Sequence, residues 1–132
     1  MEDTPAIVPT IQVFYRPQEI ENAEWQIRAV CPNSNLVLGH VNLRGLHECS
    51  CACMVFNLAV LESYRRKGIA RSLMAHVETA ARDNRIALLM ATVNTQNIGS
   101  RSLMQSCGFT AVKEWQNPRT GNFLLLYTKI LI

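Results

Sequence analysis

Three consecutive cations stand directly before a glycine in the segment SYRRKGIARSL, which spans residues 63–73. The cations are Arg65, Arg66 and Lys67, and the glycine is Gly68. The segment predicts the start of a helix, where partial positive charge already collects on unpaired backbone amides. Cations at that end are unfavourable unless an anion sits among them. The pattern therefore indicates an anion-binding turn that suits a diphosphate, and the alternative is a solvated basic helix start.

The elements predicted on either side place this turn between the end of a strand and the start of a helix. The run CACMVFNLAV, residues 51–60, is almost entirely apolar, as expected for a central strand buried on both faces. Ile69, Leu73 and Val77 recur at helical spacing, which predicts an amphipathic helix over about 65–83. Because the glycine has no Cβ, a ligand could approach the backbone closely at this point.

The remaining segments predict a mixed α+β fold. In chain order, the predicted elements are strands at 11–15, 25–31, 36–43 and 51–60, the helix at 65–83, a strand at 86–93, a short helix within 94–107, and strands at 109–115 and 123–131. Gly108 is placed as the stop of the second helix. The strand–helix–strand unit in the middle requires a parallel pair at the centre of a mostly antiparallel sheet, flanked by two helices.

Composition narrows the class of protein. The chain has 132 residues, 48% apolar and 17% charged, which predicts one domain over 11–132 after a flexible tail at 1–10. The formal charge of +3 is too small to indicate nucleic-acid binding. No apolar run is long enough for a membrane span, and the acidic N-terminus differs from a signal peptide. Five cysteines without a secretory signal predict reduced thiols and a cytoplasmic protein.

A second segment, NIGSRSLMQSCGF at residues 97–109, joins the first in resembling the GNAT superfamily of N-acetyltransferases. The acetyl-CoA-binding segment of that family reads Arg/Gln-x-x-Gly-x-Gly/Ala after a strand that ends in Val. Its second motif runs from Asn through a small residue and Leu to Gly-Phe. The matching residues here are Val60, Arg65, Gly68 and Ala70 in the first segment, and Asn97, Ser100, Leu103, Gly108 and Phe109 in the second. The resemblance covers about residues 11–131, and the predicted order of elements is that of the family.

The resemblance implies acetyl-CoA as cosubstrate, no metal, and acetyl transfer to a primary amine by direct attack on the thioester. The backbone of Leu58, Ala59 and Val60 would bind the pantetheine arm, with Leu58 or a neighbour as the oxyanion donor. The turn and first helical residues would bind the diphosphate, and Asn97 with Ser100 would face the thioester end. The implied cofactor-binding residues are Leu58, Ala59, Val60, Arg65, Arg66, Lys67, Gly68, Ile69, Ala70, Arg71, Asn97 and Ser100.

The catalytic residues cannot be carried over in the same way. Many family members have a Tyr general acid at the position that Met104 occupies here, and a thioether cannot donate a proton. Cys107, Ser102 and Ser106 are nearby but do not match the family position. The candidates for a general base are His40, His47, Glu48, Glu62 and His76, and each is more simply explained as a solvated or structurally paired side chain. Catalytic residues are therefore left unassigned.

The acceptor side also departs from the family pattern. Members normally place two helices between the first and second strands, whereas only RPQEIENAE connects Tyr15 to Trp25. The loss of those helices predicts an open acceptor site that takes a large amine substrate, or a homodimer that completes the site. The acceptor itself, a small molecule or a protein, is left open.

Cysteines alternate at positions 49, 51 and 53, with His47 before them. On a strand these thiols share a face, so a metal site is conceivable. Structural zinc sites more often pair cysteines on turns, and free cysteines are common in cores. We therefore expect buried or half-buried thiols and no metal.

Three functions fit the sequence. The first is an active N-acetyltransferase that uses acetyl-CoA. The second is an acetyl-CoA-binding protein of weak or no activity, because Met104 replaces the usual acid. The third is an interaction module that binds no cofactor. We expect the first.

Overall fold

The computed structural model describes residues 8–16, 24–46 and 49–131. Its elements, in chain order, are β1 (Thr10–Arg16), β2 (Glu24–Val30), β3 (Val37–Leu46), β4 (Cys49–Val60), a single 3₁₀ turn (Glu62–Tyr64), α1 (Ile69–Asp83), β5 (Leu88–Asn94), α2 (Ile98–Ser106), β6 (Thr110–Gln116) and β7 (Phe123–Ile130). The predicted order of strands and helices is confirmed. Within the described ranges, no helix is long and apolar enough to cross a bilayer.

The strands form one seven-stranded sheet in the order β1-β2-β3-β4-β5-β7-β6. Only β4 and β5 run parallel, and every other neighbouring pair is antiparallel. The predicted fold class, a mixed α+β sheet with one central parallel pair and two helices, is therefore confirmed. The parallel pair is required because α1 connects its two strands.

Alternation and helical spacing decide which side chains form the core. Trp25, Ile27 and Ala29 on β2 are buried, while the intervening residues are partly exposed, as predicted. The apolar stripe of α1 is also buried, with Leu73 and Val77 fully so. These two patterns face each other and make the central contact between helix and sheet.

Both helices lie on the same face of the sheet. An added Cβ at Gly39 on β3 would meet the Leu73 side chain of α1 at 3.3 Å, so this face of β3 touches the helix. On β7, the Lys129 ammonium bonds to Glu78 of α1 and to the Cys107 carbonyl at the end of α2. Both contacts are made by the side of the sheet that carries the core.

The opposite face of the sheet is less covered than predicted. Cys53 and Val55 of β4 are buried on the helix side, but Met54 and Phe56 are only half-buried. Burial on both faces therefore holds at Ala52 but was wrong for Met54 and Phe56, because no described helix packs on the second face. The connection from β1 to β2 at 17–23 lies outside the described residues.

Two predicted boundaries also need correction. The long helix begins at Ile69 and not near residue 65, because Gly68 has a left-handed φ of 80° that a helix cannot continue through. β1 spans Thr10–Arg16, one residue beyond each predicted end of the strand at 11–15, and residues 1–7 lie outside the described part. The helix stop at Gly108 is confirmed, since its φ is 86° and the α2 hydrogen bonding ends there.

Candidate functional site

A cleft opens where β4 and β5 separate. The two strands pair only from Ala52 to Met54 and from Leu88 to Met90, although β4 continues to Val60. Beyond that point the edge of β4 that faces β5 has no strand partner in the described structure. The resulting cavity has a volume of about 940 Å³, which falls within the range of ligand sites in proteins.

The cleft brings together most of the residues that the sequence singled out. Eleven of the twelve implied cofactor-binding residues line it: Leu58, Ala59, Val60, Arg65, Arg66, Gly68, Ile69, Ala70, Arg71, Asn97 and Ser100. Lys67 is the exception, and its Nζ lies 5.4 Å from the centre of the Tyr64 ring. Their role towards a cofactor stays a prediction.

The turn before α1 is built to leave backbone amides open. Gly68 caps the helix in a left-handed conformation, and no side chain accepts from the first amides. The first intrahelical bond is donated by the Ser72 amide to the Gly68 carbonyl at 2.9 Å. The amides of residues 69–71 therefore precede the helical ladder, as expected for an anion-binding helix start.

The turn itself is held by side-chain and backbone contacts. Arg65 donates from Nε to the Val60 carbonyl at 3.2 Å, and the 3₁₀ turn spans the gap between β4 and this arginine. Arg66 has a φ of 62°, which is uncommon for a residue with a side chain. The chain thus reverses sharply between the strand and the helix, which brings their ends to the same cleft.

The cleft carries an excess of positive charge. Arg65, Arg66 and Arg71 contribute guanidinium groups to its wall. No Asp or Glu is among the described residues that line it, and the first turn of α1 contains no acid. With no carboxylate to neutralise these cations, the cleft favours an anionic ligand.

Asn97 has a structural task as well as a place in the cleft. Its Oδ1 accepts from the Ser100 amide at 3.1 Å and caps the N-terminus of α2. The carboxamide Nδ2 is the polar group that this side chain can still offer to a ligand. The residue therefore positions α2 beside the cleft whatever it binds.

One face of α2 lines the cleft although the sequence did not assign it there, even though Leu103 matched the family motif and Ser102 and Ser106 were noted nearby. Gly99, Ser102, Leu103 and Ser106 line the cleft, and their spacing of three and four residues marks one side of a helix. That spacing was visible in the sequence. Tyr64 also lines the cleft and was missed, and its place in a three-residue turn gave no such signal.

Met104 faces away from the cleft. Its side chain is 3% exposed and belongs to the core cluster, while its neighbour Leu103 lines the cavity. The position that holds a tyrosine in many family members is therefore filled here by a core side chain that can donate no proton. No proton-donating side chain in the wall of the cleft occupies that position.

The candidates for a general base differ in their surroundings. His76 Nδ1 lies 2.8 Å from the Ser72 carbonyl of its own helix, and Glu62 is exposed outside the cleft lining. His47 and Glu48 lie outside the described residues. His40 therefore remains as the described candidate that has a polar atom without a hydrogen-bond partner.

His40 lies on β3 directly opposite Ala59 of the cleft. Its Nδ1 is buried and has no hydrogen-bond partner among the described residues. Because Gly39 faces α1, alternation places the His40 side chain on the opposite face of the sheet. The imidazole therefore lies beside the β4 segment that borders the cleft, on the side where no described helix packs.

The three cysteines of β4 differ in exposure. Cys53 is fully buried, and burial raises the pKa of its thiol to about 11. Cys49 and Cys51 are exposed, so the prediction of buried or half-buried thiols was wrong for them. Both residues lie at the first end of β4, before the stretch from Ala52 to Met54 that pairs with β5. No three metal-binding side chains cluster within 8–16, 24–46 and 49–131.

Comparisons with known proteins give a consistent result. The model of the acetyltransferase (GNAT) family matches residues 3–109. The search of curated proteins found no match.

Solved structures extend the likeness to the fold. A GNAT-family protein from Desulfovibrio desulfuricans matches at 18% identity and a TM-score of 0.76, over 83% of this chain and 69% of that one. The ribosomal-protein-S18-alanine N-acetyltransferase from Escherichia coli matches at 18% identity and a TM-score of 0.67, over 86% and 72%. An aminoglycoside 6'-N-acetyltransferase complexed with coenzyme A matches at 12% identity and a TM-score of 0.69, over 83% and 73%. Because the family description covers most of the sequence and the fold agrees, the chain belongs to the acetyltransferase (GNAT) family.

Proposed function

We propose that the protein is an N-acetyltransferase that transfers the acetyl group of acetyl-CoA to a primary amine. One observation carries the proposal. The unpaired edge of β4 ends beside a helix start with three uncapped amides and three arginines, in one cleft. A thioester with a long amide-bearing arm and a diphosphate has the chemistry to match both halves of that cleft.

The residues present fit acetyl-CoA as cosubstrate. The pantetheine arm would pair with the free edge of β4 at Leu58, Ala59 and Val60, as an added strand does. The diphosphate would accept from the amides of residues 69–71, with Arg65 and Arg66 adding charge from the turn. Acetyl-CoA supplies an activated acyl thioester, and no metal takes part in the proposal.

Two of the chain's own groups would serve the reaction. The Leu58 amide, or that of a neighbour on β4, would donate to the carbonyl oxygen as it gains charge during attack by the amine. His40 would take the proton that the amine loses when its nitrogen bonds to the acyl carbon. The carbon–sulfur bond then breaks, and the departing thiolate takes a proton from water, because Met104 cannot provide one.

The acceptor is proposed only as a primary amine of a small molecule or a protein. One structural neighbour is named for a ribosomal-protein alanine and another for an aminoglycoside, so the fold accommodates both classes. The face beside His40, on which no described helix packs, favours a large acceptor or a second copy of the chain that completes the site. A cytoplasmic location and a single domain over 11–132 are part of the same proposal.

A second candidate function is binding of acetyl-CoA without efficient transfer, as in a sensor. The observation that favours it is the burial of Met104 in the core, which removes the family's usual acid from the cleft. Under this alternative the cleft holds the cofactor, but no amine is acetylated.

Two measurements test the proposal. A hundredfold excess of acetyl-CoA over its dissociation constant should stabilise the native protein by about 2.7 kcal/mol, read as a rise in melting temperature. Release of the free CoA thiol should then depend on an amine from a panel of polyamines, aminoglycosides and peptides. Stabilisation without thiol release supports the binding-only alternative, and the absence of stabilisation rejects both.

A further inference from the structure

Two thiols lie in contact at the far end of the central strand. The Sγ atoms of Cys49 and Cys51 are 3.1 Å apart, and both residues are exposed. The other cysteines differ, since Cys53 is fully buried and Cys31 and Cys107 are partly covered. The first pair is therefore the one that combines contact between thiols with access from solvent.

The backbone allows these thiols to join, but under strain. A disulfide needs sulfur atoms about 2.05 Å apart and Cα atoms roughly 4.4–6.8 Å apart. Alternate residues of an extended strand have Cα atoms roughly 6.6 Å apart, at the upper limit of that range. The β3–β4 ladder is irregular at this end, where its register shifts between Gly45 and Leu46, the partner of Cys49. An irregular strand end can pucker more readily than a regular ladder.

We propose that Cys49 and Cys51 form a redox-active dithiol that exchanges with small-molecule disulfides such as oxidised glutathione. The bond is reversible and not structural, because a strained and exposed disulfide is the kind that is readily reduced. This assigns a modification site that is separate from the proposed transferase reaction.

The pair is asymmetric, and this favours Cys49 as the attacking group. The hydrogen bond from Cys51 lowers the pKa of the Cys49 thiol, with further help from the Cys51 backbone amide. The same contact and the charge on Cys49 raise the pKa of Cys51. The thiolate is the nucleophile in thiol–disulfide exchange, so Cys49 attacks first.

The exchange balances in two steps. The Cys49 thiolate attacks one sulfur of the external disulfide, forms a mixed disulfide and releases one small thiolate. Cys51 then loses its proton and attacks Cys49 Sγ, which releases the second small thiolate. The two cysteines are oxidised by two electrons, and the external disulfide is reduced to two thiols.

The dithiol lies away from the cleft. Leu58 stands nine positions after Cys49 on β4, which corresponds to roughly 30 Å along an extended strand. Cys49→Ser and Cys51→Ser should therefore leave the stabilisation of the protein by acetyl-CoA unchanged. A failure of the dithiol proposal is thereby distinguishable from a failure of the transferase proposal.

The test is equilibration of the full chain in a series of oxidised and reduced glutathione ratios. Remaining thiols are then blocked, and intact mass is measured. The wild type should lose two hydrogen atoms as the ratio becomes more oxidising, and should regain them when reduced. Cys49→Ser and Cys51→Ser should lose this bond, and Cys49→Ser should carry glutathione at Cys51 instead.

Cys53→Ala, Cys31→Ser and Cys107→Ser are the matched controls, and each should keep the two-hydrogen loss. The proposal is overturned if the bond persists in Cys49→Ser, or if Cys53→Ala abolishes it while folding normally by circular dichroism. It is also overturned if the wild type takes up two separate glutathione adducts and forms no internal bond.

Discussion

Gly68 is the residue at which the chain can present its backbone to a ligand. Its φ of 80° is left-handed, and an added Cβ would meet no atom within 4 Å. The space around it is therefore open on the cleft side, as an approach by a phosphate requires. Three arginines also line that space. A negative side chain placed there would compete with the diphosphate for these arginines and for the amides at the start of α1.

Gly68→Glu should reduce acetyl-CoA affinity roughly tenfold or more, which is about 1.4 kcal/mol of binding free energy. The carboxylate would occupy the amides of residues 69–71 and repel the diphosphate. Isothermal titration with acetyl-CoA measures the change.

Gly121→Glu is its matched control. Gly121 also has a left-handed φ, of 76°, and open space around its Cβ position, but it lies in the β6–β7 turn. Both variants should cost about 1–2 kcal/mol of stability through strain, and only the first should affect binding. Equal affinity in the two variants would refute the placement of the diphosphate.

His40→Gln should lower kcat about 10²-fold or more while the affinity for acetyl-CoA stays the same, because a general base typically contributes 10²–10⁴-fold. Steady-state kinetics with the best amine, together with titration of the cofactor, separate the two quantities.

His76→Gln is the control, because the His76 ring bonds within its own helix. A normal kcat in His40→Gln would show that the proton goes to another group. The loss of cofactor binding in that variant would show instead that His40 shapes the cleft.

At the scale of elements, one ion pair joins both helices to the sheet. Lys129 of β7 donates to Glu78 of α1 at 2.8 Å and to the Cys107 carbonyl after α2 at 2.7 Å. Arg82 donates to the other Glu78 oxygen at 2.9 Å. This contact ties α1 and the end of α2 to β7.

Glu78→Gln should therefore destabilise the fold in a pH-dependent way. Lys129 first, and Arg82 second, hold the pKa of the Glu78 carboxyl below its ordinary value. The folded carboxyl thus binds a proton less tightly than the unfolded one, so the stabilisation is full above a pH of about 4.3 and is lost as the pH falls through the lowered pKa. We expect a loss of about 1 kcal/mol at neutral pH, and a smaller loss in acid.

Urea unfolding at neutral and acidic pH measures this difference. Glu114→Gln on the exposed strand β6 is the control and should change little at either pH, since no described ion pair involves Glu114. A loss in Glu78→Gln that is the same at both pH values would point to packing and not to the charge.

At the scale of the whole molecule, the sheet has one face covered by α1 and α2 and an open face, on which no described helix packs. Half-buried apolar side chains lie on the open face, among them Met54, Phe56 and Met90. A second copy of the chain could cover them and complete the acceptor side. Light scattering after size exclusion should then give twice the mass of the chain at micromolar concentration, and a strict monomer would reject the homodimer and leave the large acceptor.

The sequence predicted the fold well because its signals are periodic and local. Alternation on β2 and the stripe of α1 each require a core on one side of the element. The cleft could be located from the glycine turn and the Asn97 segment. Burial on the second face of β4 could not be judged from its composition, because that depends on which helices cover it.

The site was less predictable where it depends on tertiary contacts. The helix start was placed too early because the left-handed state of Gly68 is decided by how β4 and α1 meet. His40 was one of five equal candidates until the structure placed it opposite Ala59 with a buried, unpartnered nitrogen. Pairing between strands is a long-range property that spacing along the chain does not contain.

The central claim is that the start of α1 binds the diphosphate of a coenzyme. The most direct measurement is a crystal structure of the protein with CoA bound. Diphosphate oxygens should lie within about 2.7–3.2 Å of the backbone nitrogens of residues 69–71. A coenzyme bound elsewhere, or a turn that stays empty in crystals saturated with CoA, would contradict it.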